Sequence, residues 1–448
     1  MNLFAKLSRR AEEGRPIRVG LIGAGKFGSM FLAQARRHRG LHVVGIADLS
    51  AATARSNLAL VGWEAERYGA RDLDEAARTG GTHVGEDWRA LATHPEVEIL
   101  IEATGDPVAA VAHALAAFEA GCHVVNVTVE ADAYCGHGLA RRAEAAGVVY
   151  SMAYGDQPAL VCDLVDWART CGFPVAAAGR GHKWRPSYRK STPETVWDHW
   201  GLSAEQATRG RLNPRMFNAF LDGSKPAIEC AAIANACGLD APEDGLAYPT
   251  AGADDLADVM RPREEGGALA RKGLVEAANA LTPDGEPVPY DLRQGVWVVI
   301  EGDDDYVRHC FEEYLVRTDD SGRYTSLYKR WHLIGLELPV SVAAVALRGE
   351  PTGVAREFRA DVCAVAKRDL RAGETLDGEG GETVAGGLRP ALASVRGGYL
   401  PLGLAKNVRL VRDVRDNEPV RYSDVEITER GPAHELRAEM ERALGGAA

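Results

Sequence analysis

The sequence predicts an α/β protein with an N-terminal dinucleotide-binding domain, an α+β middle domain for catalysis or oligomerisation, and a small β-rich C-terminal domain. Three observations lead to this fold class. Apolar strands alternate with helical segments up to about residue 150, which is typical of a parallel sheet with helices on both faces. This pattern changes at Phe173, and short β segments with paired glycines fill residues 361–422. The predicted boundaries are 1–155, 156–350 and 351–448.

A glycine-rich turn follows the first predicted strand. Gly23, Gly25 and Gly28 have the Gly-x-Gly-x-x-Gly spacing, Lys26 and Phe27 lie between the last two, and a helix is predicted from residue 29. Such a turn lets a pyrophosphate approach the backbone closely, and the unpaired N–H groups of the helix start face the anion. The motif predicts a Rossmann domain in which these five residues contact the dinucleotide.

The end of the second predicted strand, 41–47, carries the signal for cofactor choice. Asp48 comes about 20 residues after the last glycine, where an acidic residue binds the ribose 2′-hydroxyl. Arg55 lies on the next predicted helix, within reach of a ribose 2′-phosphate. Asp48 favours NAD(H), and Arg55 leaves NADP(H) open.

The rest of the first domain continues the alternation, apart from the charged segment 68–88, which resembles an insertion. Thr104 and Gly105 follow the buried strand predicted at 97–102. Ligands bind at the carboxyl ends of parallel strands, so these two residues are predicted to contact the nicotinamide side of the cofactor. The remaining predicted elements are a helix at 108–120, a strand at 122–129, a helix at 138–146 and a strand at 148–152.

Composition limits the partners and the compartment. The 448 residues include 52 Lys+Arg and 64 Asp+Glu, and the resulting net charge of −12 argues against a nucleic-acid partner. A small anionic substrate is predicted instead, because a local basic pocket outweighs net charge at short range. The chain has neither a long apolar run nor a signal-like N-terminus, so we expect a cytoplasmic protein that does not enter a membrane. The eight scattered cysteines indicate reduced thiols.

A basic run follows the strand predicted at 174–181. It contains Arg180, Lys183, Arg185, Arg189 and Lys190. We predict that Arg185, Arg189 and Lys190 bind the phosphate or carboxylate of the substrate, and that Lys183 is a candidate electrophile. The alternative is a solvated charged face.

The segment 213–238 offers a second set of polar residues. On one continuous helix, four of them would share a face: Asn218, Asp222, Lys225 and Glu229. Pro226 predicts a break near Gly223. Lys225 is a second candidate electrophile, Asn218 a candidate substrate contact, and the two carboxylates are candidate proton shuttles or metal ligands. The alternative is a surface face of ion pairs.

Asp156 lies in the turn before a helix predicted at 159–170, at the predicted domain junction. It is predicted either to cap that helix or to join the other two carboxylates in the site. A divalent metal stays open, since carboxylates are available but no spacing demands one.

Later elements complete the expected fold. An apolar helix at 338–347 and the small size of the β-rich domain predict a homo-oligomer. The other predicted elements are a strand at 295–301, a helix at 306–314, a segment at 324–336 and a terminal helix at 432–444.

Several motifs carry a resemblance to known families. The glycine turn, Glu102-Ala103-Thr104-Gly105 and Gly155-x-x-Pro158 resemble the homoserine dehydrogenase superfamily, although Val127 stands where those enzymes have a lysine after Asn126. The segment Ala366-x-Arg368-Asp369-Leu370-x-Ala372-Gly373 resembles a SAF domain. Their combination resembles the branch with 1-deoxy-D-xylulose 5-phosphate reductoisomerase-like activity. Four further motifs carry that resemblance: Tyr154-Gly155-Asp156-Gln157-Pro158, Ser191-Thr192-Pro193-Glu194-Thr195-Val196-Trp197, Phe217-x-x-Phe220-Leu221-Asp222-Gly223 and His332-Leu333-Ile334-Gly335-Leu336-Glu337.

The resemblance implies an NADP(H)-favouring enzyme of isoprenoid biosynthesis that rearranges and reduces a phosphorylated keto-sugar. Both steps place negative charge on oxygen, so they need cations, a proton shuttle and a phosphate anchor. Two alternatives remain open. One is an NAD(P)-dependent dehydrogenase or oxidoisomerase of a branched sugar acid or hydroxy acid, and the other is a nucleotide-binding sensor or scaffold.

Overall fold

The computed structural model describes residues 2–209 and 212–446. They form two compact units. The first contains residues up to Leu160 together with Leu333–Ala355 and Pro432–Arg437. The second contains Val161–His332, Arg356–Gly431 and the chain from Ala438 onward.

The strands and helices are numbered here in chain order. The strands are β1 Ile17–Ile22, β2 Leu41–Ala47, β3 His83–Gly85, β4 Ile99–Glu102, β5 His123–Asn126, β6 Tyr150–Met152, β7 Val175–His182, β8 Leu274–Asn279, β9 Val296–Glu301, β10 Tyr324–Lys329, β11 Ala360–Ala366, β12 Thr375–Asp377, β13 Val384–Pro390, β14 Lys406–Leu410 and β15 Val425–Glu426. The helices are α1 Leu3–Glu12, α2 Lys26–Ala35, α3 Ala51–Leu60, α4 Leu73–Thr79, α5 Trp88–Ala92, α6 Pro107–Glu119, α7 Val129–Ala145, α8 Gln157–Thr170, α9 Val196–Trp200, α10 Ala204–Arg209, α11 Pro214–Leu221, α12 Ser224–Cys237, α13 Leu256–Val259, α14 Asp305–Glu313, α15 Pro339–Arg348, α16 Ala391–Gly397 and α17 Pro432–Gly445.

The first unit is built on a parallel six-stranded sheet with the order β3-β2-β1-β4-β5-β6. Its strands are nearly continuous apolar runs because helices cover both faces. The prediction that 68–88 is an insertion is wrong. This segment contains α4 and the edge strand β3, whose short length and charged flanks hide the strand pattern.

The apolar helix predicted at 338–347 is α15, and it packs inside the first unit. Leu338, Val342 and Val345 are at most 1 % exposed and share a core with Ile17 and Leu32. The apolar face that motivated the oligomer prediction is therefore already covered by the same chain. A homo-oligomer stays a prediction, but the apolar face of α15 no longer supports it.

The second unit contains a mixed four-stranded sheet with the order β10-β9-β7-β8. β7 and β8 run parallel, whereas β9 is antiparallel to both β7 and β10. Trp297, at 0 % exposure, fills the core on one side of this sheet. α12 packs against β7 and β8. At one edge of this sheet the last residues of β7, β8 and β10, which are His182, Asn279 and Lys329, lie close to Val296, the first residue of β9.

The C-terminal β segments belong to the second unit. β11 pairs with β13 over seven residues, and β12, β14 and β15 form a separate antiparallel sheet. The predicted fold class is thus confirmed: a parallel α/β sheet, an α+β region and a small β-rich region. The boundaries 1–155, 156–350 and 351–448 stay a prediction. Among the described residues, no helix is both long enough and apolar enough to cross a membrane.

Candidate functional site

The glycine turn between β1 and α2 has the geometry that a dinucleotide phosphate needs. Gly23 has φ +91°, and a Cβ there would lie 2.6 Å from the carbonyl oxygen of Ala103. A Cβ on Gly28 would lie 2.2 Å from the carbonyl oxygen of Gly23. Gly25 is exposed, and a Cβ there would meet no atom within 4 Å. The residues of the turn therefore fit a bound NAD(P)(H), with open space beside Gly25 and the N–H groups that begin α2.

Ala24, in the middle of this turn, is held by three side chains. Its N–H donates to Asp48 Oδ2 at 2.8 Å, and its carbonyl oxygen accepts from Asn57 Nδ2 at 2.8 Å and from Ser29 Oγ at 3.1 Å. Asp48 Oδ1 also accepts from the N–H of Ser50 at 3.2 Å. A carboxylate has about four lone-pair positions, so Asp48 keeps capacity to accept from ribose hydroxyls.

Arg55 is committed to the protein itself. Its guanidinium donates to the carbonyl oxygens of Tyr68 and Val84, both at 3.0 Å. The predicted contact with a 2′-phosphate would have to replace these bonds. Lys26 is exposed at the start of α2, and Phe27 packs against the core of the first unit.

We expect Asp48→Ala to weaken NADH binding about tenfold or more and NADPH binding less. The variant removes acceptors for the two ribose hydroxyls of NADH, and a hydrogen bond to a charged group contributes about 1.5–3 kcal/mol. Fluorescence titration measures both affinities. Asp72→Ala is the matched control, because Asp72 also accepts a backbone N–H, from Glu75. An equal loss for both cofactors would exclude Asp48 as the ribose ligand.

A buried carboxylate organises the loops at the carboxyl ends of β4 and β5. Glu102 has no exposed surface, and it accepts from Thr104 N at 3.3 Å, from Thr104 Oγ1 at 2.5 Å and from Thr128 Oγ1. His113 Nδ1 lies 3.3 Å from Glu102 Oε1, and Gly105 N donates to Thr128 Oγ1 at 3.0 Å. The Thr104 hydroxyl is thus committed to Glu102. A contact of Thr104 and Gly105 with nicotinamide, which stays a prediction, would use the backbone of this loop.

A second buried acid lies beside this network. Asp132, on α7, accepts from Asn126 Nδ2 and from Tyr150 OH, both at 2.8 Å. Burial raises the pKa of Asp132 to about 8, which favours its protonated form more than that of a solvated aspartate. Asp156, just before α8, is 5 % exposed and accepts from the N–H of Gln157 at 2.9 Å. Its charge adds a smaller upward contribution to the pKa of Asp132.

In the second unit, cations collect where β7 ends and β9 begins. We call Lys183, Arg185, Arg293 and Arg330 the cationic edge. Arg293 forms a two-point pair with Asp291, with distances of 2.8 Å and 3.0 Å, and the charge of Arg330 also acts on that carboxylate. Arg185 is exposed. These groups form a local positive region in a chain of net charge −12.

Lys183 lies in an aromatic environment at this edge. Its Nζ donates to the carbonyl oxygen of His199 at 3.1 Å and lies 5.8 Å and 6.0 Å from the ring centroids of Tyr188 and Trp200. Partial burial, together with the charges of Arg293 and Arg185, lowers its pKa below the usual lysine value. The ammonium is therefore more easily deprotonated than that of a solvated lysine.

Four of the predicted site residues lie around Lys367, which was not predicted. Lys367 Nζ lies 3.0 Å from Asp222 Oδ2, and Asn218 Nδ2 donates to the carbonyl oxygen of Gly380 at 2.9 Å. Arg189 donates to the carbonyl oxygen of Asp222 at 3.0 Å. Lys190 donates to the carbonyl oxygen of Lys367 at 2.6 Å and pairs with Asp416.

The predicted break near Gly223 is confirmed, so Asn218 and Asp222 do not share one continuous helix face with Lys225 and Glu229. Gly223 has φ +86° and separates α11 from α12, as Pro226 indicated. Glu229 is 2 % exposed and pairs with Arg180, while Lys225 is half-buried in the first turn of α12. The predicted roles of these residues stay predictions, although Asp222 and Glu229 are each bound to a buried cation.

Sequence reasoning missed Lys367, Thr128 and Arg293 as site residues. The basic run at 180–190 signalled an anion site, but it did not show that Arg189 and Lys190 are bound to other parts of the second unit. Glu102 was noticed only as part of a motif. An acid at the end of an apolar strand, followed two residues later by threonine, is the signal that could have identified it.

Comparison with family models covers most of the chain. Residues 155–338 match the catalytic domain of the oxidoreductase DRL, and residues 17–126 match the oxidoreductase family with an NAD-binding Rossmann fold, GFO/IDH/MocA. The chain is an NAD(P)-dependent oxidoreductase. Residues 361–426 match the SAF domain, which confirms that resemblance. None of these matches supports the likeness of the oxidoreductase to homoserine dehydrogenases.

Solved structures similar to the oxidoreductase are distant. A biliverdin reductase from Synechocystis sp. PCC 6803, in complex with biliverdin and NADP+, is 16% identical with a TM-score of 0.36; the match covers 75% of this chain and 92% of that one. An NAD binding oxidoreductase from Klebsiella pneumoniae is 16% identical with a TM-score of 0.30, covering 78% and 72%. The 1-deoxy-D-xylulose 5-phosphate reductoisomerase from Zymomonas mobilis, in complex with NADPH, is 15% identical with a TM-score of 0.33, covering 49% and 57%. No curated protein matches the oxidoreductase.

The part of the oxidoreductase that the structure describes contains no group of three His, Cys, Asp or Glu side chains arranged to hold a metal ion. Asp222 and Glu229, the candidate metal ligands of the second unit, are paired with Lys367 and Arg180 instead.

Proposed function

We propose that the oxidoreductase uses NADPH to reduce a small phosphorylated keto-sugar after rearranging its carbon skeleton, as a 1-deoxy-D-xylulose 5-phosphate reductoisomerase does. The cationic edge carries this proposal. The charges of Arg185 and Arg293 both act on the ammonium of Lys183 and disfavour it. A phosphate dianion would relieve that repulsion, and guanidinium groups suit its geometry.

The residues have separate tasks in this reaction. NADPH, when bound, supplies the hydride, and the glycine turn with Asp48 holds it. Arg185 and Arg293 hold the phosphate. The rearrangement and the reduction both place negative charge on a substrate oxygen, and the ammonium of Lys183 stabilises that charge. In the described residues Lys183 has one hydrogen bond, to His199, so two of its three N–H donors remain for the substrate.

The test is NADPH oxidation with 1-deoxy-D-xylulose 5-phosphate, compared with the same sugar lacking phosphate. The proposal requires turnover of the phosphorylated sugar and a kcat/KM at least about a hundredfold lower for the other, as expected when charged partners are left unpaired. Turnover of sugar acids or hydroxy acids alone would favour the dehydrogenase alternative. Binding of the dinucleotide without turnover of the sugars, the sugar acids or the hydroxy acids would favour the alternative of a nucleotide-binding sensor or scaffold.

We expect Lys183→Met to lower kcat by about 10²–10³, the usual effect of removing one donor that stabilises a developing oxyanion. Substrate binding survives, since Lys183 acts mainly in the transition state. Arg293→Met instead raises KM. Lys6→Met, which changes an exposed lysine of the first unit, is the control. Unchanged steady-state kinetics for both variants would show that the cationic edge is only a solvated face.

A further inference from the structure

A buried ion pair joins the SAF segment to the turn between α11 and α12. Lys367, directly after β11, is 3 % exposed, and Asp222 has no exposed surface. Besides contacting Asp222, Lys367 Nζ donates to the carbonyl oxygen of Gly381 at 2.8 Å and to that of Ser191. These contacts account for all three donors of an ammonium. Lys367 therefore has no donor left for a substrate.

Asn218 makes a second connection in the same place. Its Nδ2 donates to the carbonyl oxygens of Gly380 at 2.9 Å and Gly381 at 3.1 Å, and its Oδ1 accepts from Ser191 Oγ at 2.6 Å. Ser224 Oγ accepts from the N–H of Gly386 at 2.8 Å. The SAF segment thus holds the α11–α12 turn from both sides.

The same turn contacts the residues on either side of Lys183. The carbonyl oxygen of Phe220 lies 2.8 Å from His182 Nε2. A Cβ on Gly223 would lie 3.2 Å from the ring of Trp184, so the turn and this ring are in close packing. A continuous path of contacts therefore runs from Lys367 through residues 220–223 to residues 182–184.

We propose that Lys367 is a positioning residue: by neutralising Asp222 it fixes the α11–α12 turn, and through that turn it fixes Lys183 at the cationic edge. A carboxylate left without its partner in the interior is strongly unfavourable, so the turn would shift to bring Asp222 to water. The effect of Lys367 on catalysis by Lys183 rests on the proposed function. The effect of Lys367 on the position of the α11–α12 turn does not.

Hydrogen–deuterium exchange tests the structural part without any substrate. Lys367→Met is expected to accelerate amide exchange at least tenfold in peptides covering both 218–224 and 182–191, with little change in β1 and β2. Lys406→Met, at an exposed lysine of the same SAF segment, is the control and should leave exchange unchanged. Exchange at wild-type rates in 182–191 of Lys367→Met would overturn the proposal.

A double variant keeps the test decisive if Lys367→Met does not fold. Lys367→Met with Asp222→Asn removes both charges. Replacing both partners of a buried ion pair with neutral residues restores much of the stability that is lost when only one partner is replaced. We expect this variant to fold and to recover most of the protection in 182–191. A double variant that is as disordered as the single one would contradict the role of charge neutralisation.

Kinetics tests the catalytic part once a substrate turns over. Lys367→Met should raise KM or lower kcat at least tenfold while the Kd for NADPH stays unchanged, and the double variant should recover part of the loss. Unaltered kinetics with accelerated exchange would refute positioning of Lys183. Absence of any substrate would refute the proposed function and leave the exchange result to decide the structural inference.

Discussion

Arg180→Met is expected to lower the free energy of unfolding by about 3–5 kcal/mol. Arg180 on β7 and Glu229 on α12 are each 2 % exposed and form a salt bridge. Loss of the guanidinium leaves the carboxylate of Glu229 in the interior without its charge partner. Burial, the main cause that holds the pKa of His182 well below its usual value, persists in the variant and disfavours a replacement cation on this neighbouring ring.

Urea denaturation followed by circular dichroism measures the loss. Arg371→Met is the control: Arg371 is exposed and pairs with the exposed Asp413, so its removal should leave the midpoint unchanged. Arg180→Met with Glu229→Leu should recover a large part of the stability, since both charges are then absent. A loss below about 1 kcal/mol for Arg180→Met would mean that water already reaches Glu229.

Gly25→Ala is expected to lower dinucleotide affinity about tenfold or more, about 1.4 kcal/mol, without changing stability. Gly25 has a negative φ, −70°, and a Cβ there would meet no protein atom within 4 Å. The added methyl group therefore occupies only the space that the pyrophosphate needs. Gly28→Ala differs, because its Cβ would collide with the carbonyl oxygen of Gly23 and should destabilise the fold as well.

Isothermal titration with NADPH and a thermal melt separate these effects. Gly431→Ala is the matched control, since a Cβ there also meets nothing within 4 Å. A Gly25→Ala protein that binds NADPH like the wild type would place the phosphates elsewhere.

The sequence predicted the parallel sheet well because its strands are apolar throughout. The range 41–47 agrees with β2 at both ends. β8, by contrast, was not predicted, although all six of its residues are buried. It contains Glu276, which is 1 % exposed and accepts from the N–H groups of Ala247, Tyr248 and Ala277. Burial raises the pKa of Glu276 to about 7. Hydrogen bonds to backbone thus place a polar residue where a pattern of hydrophobicity expects none.

The candidate site was predictable in its residue types and not in its partners. Concentrated basic residues at 180–190 indicated an anion site. Local spacing could not reveal that Asp222 pairs with Lys367, because 145 residues separate them in the chain. Pro226 did indicate the break near Gly223, but the pattern alone does not show how far Gly223 turns the backbone.

The pairing of Asp222 with Lys367 also constrains how such a chain can change by recombination. One charge lies in the segment matching the DRL catalytic domain and the other in the segment matching the SAF domain. An exchange of C-terminal segments that brought in an apolar residue at position 367 would leave an anion in the interior. The incoming segment would need a matching cation or a second change at position 222. We therefore expect positions 222 and 367 to change together, even though they lie in segments that match two different domains.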